Sequence, residues 1–234
     1  MSAKRVGVED LISAMKKMAV EKGLKKEELQ DYLDKYAFRF GATWLLKILA
    51  GVDFRLEAGV NTLEYSLTKR PAVDVLAEEF NPGEKILSIG CGTGLLEANL
   101  ARLGCRVWGL EKNKDLIGIA RKLADEMGLS QSCKFRRVKR YKYPFPDGFF
   151  DAALYSRSLH EIKGKTATLR GVYRVLKDLG RVAILETKSE LKEMNLEKIA
   201  KNGSFKRRGV RVVLPAKGRD GLVGEVRLIV FVKK

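Results

Sequence analysis

The chain of 234 residues is 45% hydrophobic, which is enough for one large domain or for a core domain with an appended segment. Three cysteines without a CxxC spacing and a single histidine argue against a disulfide framework and against a metal site. The formal net charge is +17. No run approaches the roughly 18 consecutive apolar residues that a membrane span needs, and charged residues interrupt the apolar positions near the N-terminus. We therefore expect a cytoplasmic protein without a signal peptide.

Residues 6–80 are predicted to be mainly helical. Apolar side chains recur three and four residues apart from Val8 to Met18 and from Leu29 to Phe40, which is the pattern of helices with one buried face. A further helix is predicted over Ala72–Phe80, and an Asn-Pro-Gly sequence ends it. We therefore predict an N-terminal helical cap or extension over residues 1–75, whose role the sequence leaves open.

From Lys85 onward, short apolar runs alternate with stretches of helical spacing, which indicates βαβ units and a parallel sheet with helices on both faces. The predicted strands cover 85–89, 106–110, 134–138, 152–155 and 181–186, and the predicted helices cover 95–103, 114–127 and 165–176. Two further strands, 209–215 and 224–232, have no helix between them and are expected to pair antiparallel. Residues 76–234 are thus predicted to form an α/β domain: a Rossmann-like, seven-stranded, mostly parallel sheet with an antiparallel C-terminal hairpin.

The first predicted strand runs into a glycine-rich turn, Gly90-Cys91-Gly92-Thr93-Gly94, and a helix follows. Glycines at alternate positions let the backbone turn tightly and let a ligand approach, and the helix adds a positive N-terminal end. The G-x-G-x-G spacing differs from the G-x-G-x-x-G dinucleotide fingerprint, and the turn lacks the Gly-Lys-Ser/Thr of a P-loop. The second predicted strand ends in Glu111, whose carboxylate can accept two hydrogen bonds from a ribose diol. Together these features indicate an adenosine ligand without a 2′-phosphate.

Three segments, ILSIGCGTG (86–94), VWGLE (107–111) and YPFPDGFFDAALYSRSLHEI (143–162), resemble the motifs of class I S-adenosylmethionine (SAM) dependent methyltransferases. The ubiquinone/menaquinone-biosynthesis-type branch of that family is the most similar. The resemblance extends in order over about residues 75–190, and the tail fits the antiparallel hairpin that closes the family's sheet. It implies a class I methyltransferase domain over residues 76–234 and SAM as the cofactor.

The resemblance also implies a set of cofactor contacts. Many relatives place an acid before the Pro-Phe-Pro-Asp segment, where it accepts from the adenine amino group, whereas this chain has Lys139, Arg140 and Tyr141 there. A backbone group of Arg140 or Tyr141 is therefore expected to take that role. The remaining implied contacts are Gly90, Gly92 and Gly94 around the methionine part of SAM, Cys91 and Thr93 lining the turn, Glu111 on the ribose, Lys112 at the adenine edge, and Tyr155 and Ser156 facing the sulfonium.

Candidate catalytic residues follow the fourth predicted strand. Methyl transfer from a sulfonium is an in-line displacement, so alignment is the main contribution expected of the protein, and a base is needed only if the acceptor loses a proton. His160, the only histidine, is a candidate base, or else it contacts the backbone at the start of a helix. Tyr155 either polarises the acceptor or packs in the core. Arg157 either grips an acidic group or is a solvated charge.

The positive charge of the chain is concentrated in its second part. Residues 1–80 contain 13 basic and 13 acidic side chains, whereas residues 81–234 contain 33 and 16, so the whole excess lies after residue 80. A field of this sign attracts polyanions such as RNA, although a heat-adapted charged surface, which the scarcity of glutamine fits, is an alternative. The excess is densest in a first basic cluster, Lys134, Arg136, Arg137, Lys139, Arg140 and Lys142, and a second basic cluster, Lys206, Arg207, Arg208, Arg211, Lys217 and Arg219.

Three functions are compatible with these features. The charge favours a SAM-dependent methyltransferase that acts on RNA (tRNA or rRNA), with Tyr141 and Tyr143 as candidates for stacking on bases. The family resemblance favours a small-molecule acceptor of quinone or lipid type, for which the N-terminal helical segment would cap an apolar site. A SAM-binding partner protein without turnover is the third, and a protein acceptor is also open. We predict the RNA acceptor, while the acceptor atom and the oligomeric state are not determined by the sequence.

Overall fold

A computed structural model describes residues 71–139, 143–214 and 226–234, together with four helical residues of the N-terminal segment, Asp10, Ser13, Lys17 and Glu21. The predicted cap over residues 1–75 lies almost wholly outside the described residues. The predicted adenine contacts Arg140 and Tyr141 and the tip of the C-terminal hairpin also lie outside them.

From Pro71 onward, the described part of the chain contains six helices and seven strands. In chain order they are α1 (Pro71–Glu79), β1 (Lys85–Ile89), α2 (Leu95–Arg102), β2 (Arg106–Glu111), α3 (Lys114–Glu126), β3 (Cys133–Arg137), β4 (Phe150–Ser156), α4 (Lys165–Val175), β5 (Leu176–Thr187), α5 (Lys188–Met194), α6 (Leu196–Asn202), β6 (Phe205–Leu214) and β7 (Val226–Lys233). None of these helices is long and apolar enough to cross a membrane.

The seven strands form a single sheet with the order β3-β2-β1-β4-β5-β7-β6. β7 runs antiparallel to both β5 and β6, and the other neighbouring pairs are parallel. This confirms the predicted α/β fold and its antiparallel C-terminal hairpin. Because β7 inserts between β5 and β6, the last strand of the chain is an inner strand of the sheet.

Both faces of the sheet are buried, because its parallel strands carry apolar residues at consecutive positions. On β4, Leu154 packs in the core under α1, α2 and α3, whereas Ala153 and Tyr155 pack in the core under α4 and α6. Successive residues of a strand point to opposite faces, so each short apolar run contributes to both cores. The fold is therefore a three-layer structure with helices on either side of one sheet.

From residue 71 onward, the predicted helices and strands are present, with ends that differ by a few residues, but two short helices were missed. The helices predicted before residue 71 lie outside the fully described ranges. α5 and α6 connect β5 to β6. Thr187 caps α5 in a capping box: its hydroxyl accepts from the Glu190 backbone N–H, and the Glu190 carboxylate accepts from the Thr187 N–H at 2.9 Å. The Thr-x-x-Glu spacing was a readable signal for this helix start. α1 extends across the predicted domain boundary at residue 75, and the division into two domains stays a prediction.

Candidate cofactor and catalytic site

The carboxyl ends of β1, β2 and β4 lie side by side. Ile89 at the end of β1 is in register with Leu110 of β2 and with Tyr155 of β4. The chain leaves β1 toward β2 and β3 and then returns to the other side of β1, so the strand order reverses between β1 and β4. In open α/β sheets, ligands bind outside the carboxyl ends of the strands at such a reversal. The glycine turn and the segment after β4 both begin there.

The backbone of the glycine turn is left-handed at each glycine. The φ angles are 73° at Gly90, 56° at Gly92 and 75° at Gly94, a region that glycine adopts without steric cost. The N–H groups of Gly90 and Cys91 both donate to the Leu110 carbonyl, at 2.7 and 3.2 Å. The turn is therefore fastened to the end of β2, directly beside Glu111.

The space beneath the turn is filled by side chains. A Cβ atom on Gly94 would lie 2.7 Å from the Phe135 ring and 2.9 Å from the Ala120 Cβ. A Cβ atom on Gly109 would lie 2.8 Å from the Cys91 sulfur. Cys91 is buried, and burial raises the pKa of its thiol well above the ordinary value. Cys91 is thus a neutral packing residue. Position 109 has to be glycine because a Cβ atom there would collide with Cys91 of the turn, and this requirement was not identified from the sequence.

Glu111 connects the glycine turn to the start of α3. Its Oε2 accepts from the Gly92 N–H at 3.2 Å, and its Oε1 accepts from the N–H groups of Lys112 and Asn113 at 2.7 and 2.9 Å. Asn113 in turn caps α3, because its side chain accepts from the Asp115 N–H at 2.9 Å. The glycine turn and the start of α3 are therefore joined by one half-buried carboxylate, at the carboxyl end of β2.

Tyr155 and Ser156, the predicted residues at the end of β4, have different environments. Tyr155 is fully buried, and its hydroxyl oxygen lies 3.3 Å from that of Tyr143. This position supports the core-packing alternative for Tyr155. Ser156 is partly exposed at the end of the strand. Ser158, which the sequence analysis did not single out, is buried and donates to the Ile89 carbonyl at 2.6 Å, so it fixes the segment after β4 against the end of β1.

His160 is held by a buried carboxylate from the end of β5. Its Nδ1 lies 3.0 Å from Oε2 of Glu186, and its Nε2 lies 3.5 Å from Oε1 of Glu190. Glu186 is completely buried and also accepts from the Leu159 N–H at 2.9 Å. The hydrogen bond to Glu186 raises the pKa of His160 above 6.5, because the carboxylate stabilises the imidazolium form. Glu186 and Glu190 were not identified from the sequence.

Arg157 joins the same ion-pair cluster. Its backbone is left-handed, with φ of 52°, and one guanidinium nitrogen lies 3.0 Å from Oε1 of Glu190. Another lies 3.9 Å from Oε2 of Glu186. His160, Glu186 and Glu190 place one potential ligand atom each within 4.8 Å of one another, but the Arg157 guanidinium already supplies a positive charge to both carboxylates. Arg157 is therefore a paired side chain and not a solvated charge.

The described members of the two basic clusters lie at opposite edges of the sheet. Six strand spacings of roughly 4.8 Å separate β3 from β6, so about 29 Å lies between the clusters. Part of the second cluster is already neutralised by α1, since Arg208 lies 3.1 Å from Glu79 and Arg211 lies 2.7 Å from Glu78. The described exposed members are Lys134, Arg136 and Arg137 on β3, Lys139 shortly after β3, and Lys206, Arg207, Arg208 and Arg211 on β6. These members do not form one continuous patch beside the glycine turn.

Comparison with known proteins gives a consistent family relationship. Residues 87–184 match the family described as "Methyltransferase domain". A ubiquinone/menaquinone biosynthesis C-methyltransferase of Vibrio cholerae is 30% identical over 125 residues, which are 52% of this chain and 47% of the relative. The corresponding enzyme of Pectobacterium carotovorum is 31% identical over 106 residues, 44% of this chain and 42% of the relative. The chain thus spans about half the length of the curated relatives it matches.

Solved structures share the fold. A SAM-dependent methyltransferase from Aquifex aeolicus superposes with a TM-score of 0.62 at 19% identity, covering 74% of this chain and 94% of that structure. The 4+2 cyclase SpnF superposes with a TM-score of 0.64 at 20% identity, covering 87% of this chain and 96% of that structure. At these identities the similarity concerns the fold alone.

Proposed function

We propose that this chain, in which residues 87–184 form a class I SAM-dependent methyltransferase domain, transfers the methyl group of SAM directly to a small organic acceptor of quinone or lipid type. The main support for the proposal is that the left-handed glycine turn contacts Glu111 at the point where the strand order reverses. The curated relatives act in quinone biosynthesis, and this supports a small acceptor in preference to the RNA acceptor that the charge had suggested.

Each cofactor residue has a defined task in this proposal. SAM supplies a methyl group already activated by the sulfonium, so the protein has to align donor and acceptor. The left-handed glycines keep Cβ atoms away from the methionine part of the ligand. Each carboxylate oxygen of Glu111 can accept about two hydrogen bonds, and Oε2 has only the Gly92 N–H among the described residues, which leaves capacity for a ribose hydroxyl. Thr93, Lys112 and Ser156 keep their predicted roles around the turn, the adenine edge and the sulfonium.

We infer that His160 acts as the base when the acceptor must lose a proton. Glu186 holds Nδ1 of His160 and so orients the ring, and Nε2, which lies 3.5 Å from Oε1 of Glu190, is the nitrogen that takes a proton. The His160 side chain is partly exposed and follows the carboxyl end of β4, which is the end of the sheet where ligands bind in open α/β folds. Arg157 and Glu186 are positioning residues in this arrangement, because they act through the ion-pair cluster.

Radiolabelled SAM and fractionated cell extract test the proposal. The purified chain is incubated with labelled SAM and with separated lipid and quinone, RNA, and protein fractions, after calorimetry has measured SAM binding. Label in the lipid and quinone fraction is the expected result. Label in RNA alone would overturn the proposed small-molecule acceptor, but it would leave the assignment of a methyltransferase domain unchanged. Tight SAM binding with no labelled product in any fraction would favour a SAM-binding partner protein without turnover.

A further inference from the structure

Glu97 is a buried carboxyl group that contacts the end of β1 and interacts electrostatically with Cys91 of the glycine turn. It lies in the first turn of α2, three residues after Gly94, and is only 2% exposed. Its Oε1 accepts from the Ser88 hydroxyl at 2.6 Å. Its Oε2 has no hydrogen-bond partner among the described residues. A buried carboxyl oxygen without a partner costs stability, so its retention calls for a compensating role.

Among the described residues, the surroundings of Glu97 contain negative and neutral groups but no paired cation. Within the described parts of the chain, no lysine, arginine or histidine lies within ion-pair distance of its carboxyl group. The titratable groups that interact with it are Cys91 in the turn, Cys133 on β3 and Glu111 at the end of β2. Burial raises the pKa of Glu97 to about 7, the Ser88 hydrogen bond opposes this rise, and the charge of Glu111 adds to it.

We propose that Glu97, together with Ser88, is the counter-charge for the positive cofactor and distinguishes SAM from its demethylated product. This inference rests on the proposed function, because it assumes that SAM occupies the turn. SAM carries one more positive charge than the product, since the sulfonium becomes a neutral thioether when the methyl group leaves. A positive ligand near Cys91 and Glu111 stabilises the ionised form of Glu97, because charges interact strongly where water is excluded. After transfer this attraction ends, which favours exchange of product for fresh SAM.

The proposal predicts that SAM binding and Glu97 ionisation are linked. Because burial raises the pKa of Glu97 to about 7, a substantial fraction of the Glu97 groups is protonated near neutral pH, so SAM binding should release a measurable fraction of a proton. Between pH 8 and pH 6 the affinity for SAM should fall about tenfold, because the protonated fraction rises across its pKa. The affinity for the demethylated product should change much less over the same range.

Calorimetry on the full chain tests this linkage. SAM and the demethylated product are titrated at pH 6, 7 and 8 in two buffers of different ionisation enthalpy, which gives the number of protons released. Glu97→Gln should release no proton and lose the preference for SAM. Ser88→Ala should shift the pH midpoint upward, because the hydrogen bond that lowers the Glu97 pKa is gone. Glu78→Gln, at an exposed position on α1, is the matched control and should behave as the wild type.

Two results would overturn the inference: equal proton release by the wild type and Glu97→Gln, or the same pH dependence for SAM and the demethylated product. If Glu97→Gln does not fold, an unmoved midpoint in Ser88→Ala has the same consequence. A wild-type chain that binds neither ligand contradicts the proposed function instead, so the two failures are distinguishable.

Discussion

At the scale of single residues, Glu111 does two things at once. It ends β2, and it holds the backbone of the glycine turn and of the α3 start through three N–H groups. A carboxylate suits this place because it only accepts hydrogen bonds, and the backbone N–H groups and a ribose diol are all donors. The same side chain therefore orders the site and, in the proposed function, is placed to bind the ribose.

Glu111→Ala should weaken SAM binding by roughly 2–3 kcal/mol, or about 30- to 150-fold, because a charge-assisted pair of hydrogen bonds is lost. Glu111→Gln should lose less, since its amide oxygen still accepts from the backbone. Titration calorimetry measures both, with Glu161→Ala at an exposed position as the control. Unchanged affinity in Glu111→Ala would refute the ribose assignment.

The His160–Glu186 pair makes a prediction about pH. The pKa of His160 is raised, so the neutral imidazole that acts as a base predominates only above a midpoint higher than 6.5. At saturating SAM and acceptor, kcat should therefore rise with pH through that midpoint. Glu186→Gln should move the midpoint downward, because the carboxylate that stabilises the imidazolium is lost. His160→Asn should remove this limb of the profile, and an unaltered profile would show that His160 is not the base.

Leu179 has a backbone conformation that is unfavourable for a residue with a side chain. It is 77% exposed and has φ of 60°, a conformation that costs a non-glycine residue roughly 1–2 kcal/mol. Leu179→Gly should raise the free energy of unfolding by about 0.5–1 kcal/mol after the entropic cost of glycine is subtracted. Denaturant unfolding measures the change. Leu103→Gly is the control, because Leu103 is also exposed but has φ of −79°, so this substitution should destabilise the protein.

At the scale of elements, the loop between β1 and α2 determines where the site is. Its glycines supply left-handed backbone, α2 begins immediately afterward with Gly94 as N-cap, and the Phe135 ring from β3 fills the space beneath. The motif is recognisable in sequence because every glycine has a conformational or steric reason. The Phe135 contact is not recognisable, because it depends on how β3 lies beside β2.

Gly94→Ala should reduce SAM affinity and lower the melting temperature, because its Cβ would overlap Phe135 and Ala120 and its φ is positive. Gly209→Ala is a matched control, since a Cβ there meets nothing within 4 Å and its φ is not in the left-handed region. Thermal unfolding and SAM titration compare the two variants. Equal tolerance of both substitutions would contradict the steric account of the turn.

At the scale of the whole molecule, the described exposed residues of the two basic clusters lie on or next to the edge strands of the sheet. β3 and β6 are the edge strands among those described, and exposed lysine and arginine side chains on edge strands oppose pairing with another chain. This gives the basic clusters a structural reason that requires no polyanion. It also explains why a charge count taken along the sequence suggested RNA.

Replacing Lys134 and Arg136 together by valine should cause association of the protein, because the exposed edge of β3 loses its charges and gains β-propensity. Light scattering and size-exclusion chromatography at increasing concentration measure the associated fraction. The matched control replaces Lys198 and Lys201, two exposed residues of α6, by valine. Equal association in both double variants would show that lost surface charge, and not the strand edge, is responsible.

The sequence by itself determined the alternation of strands and helices, the glycine turn and the carboxylate at Glu111, because each is a local pattern with a local physical cause. Only the tertiary structure decided which distant groups meet. It placed Glu186 against His160, Glu190 against Arg157 and Glu97 against Ser88. It also separated the described members of the two basic clusters across the sheet, because strand order, which depends on the packing of the whole chain, sets distances that no run of neighbouring residues encodes.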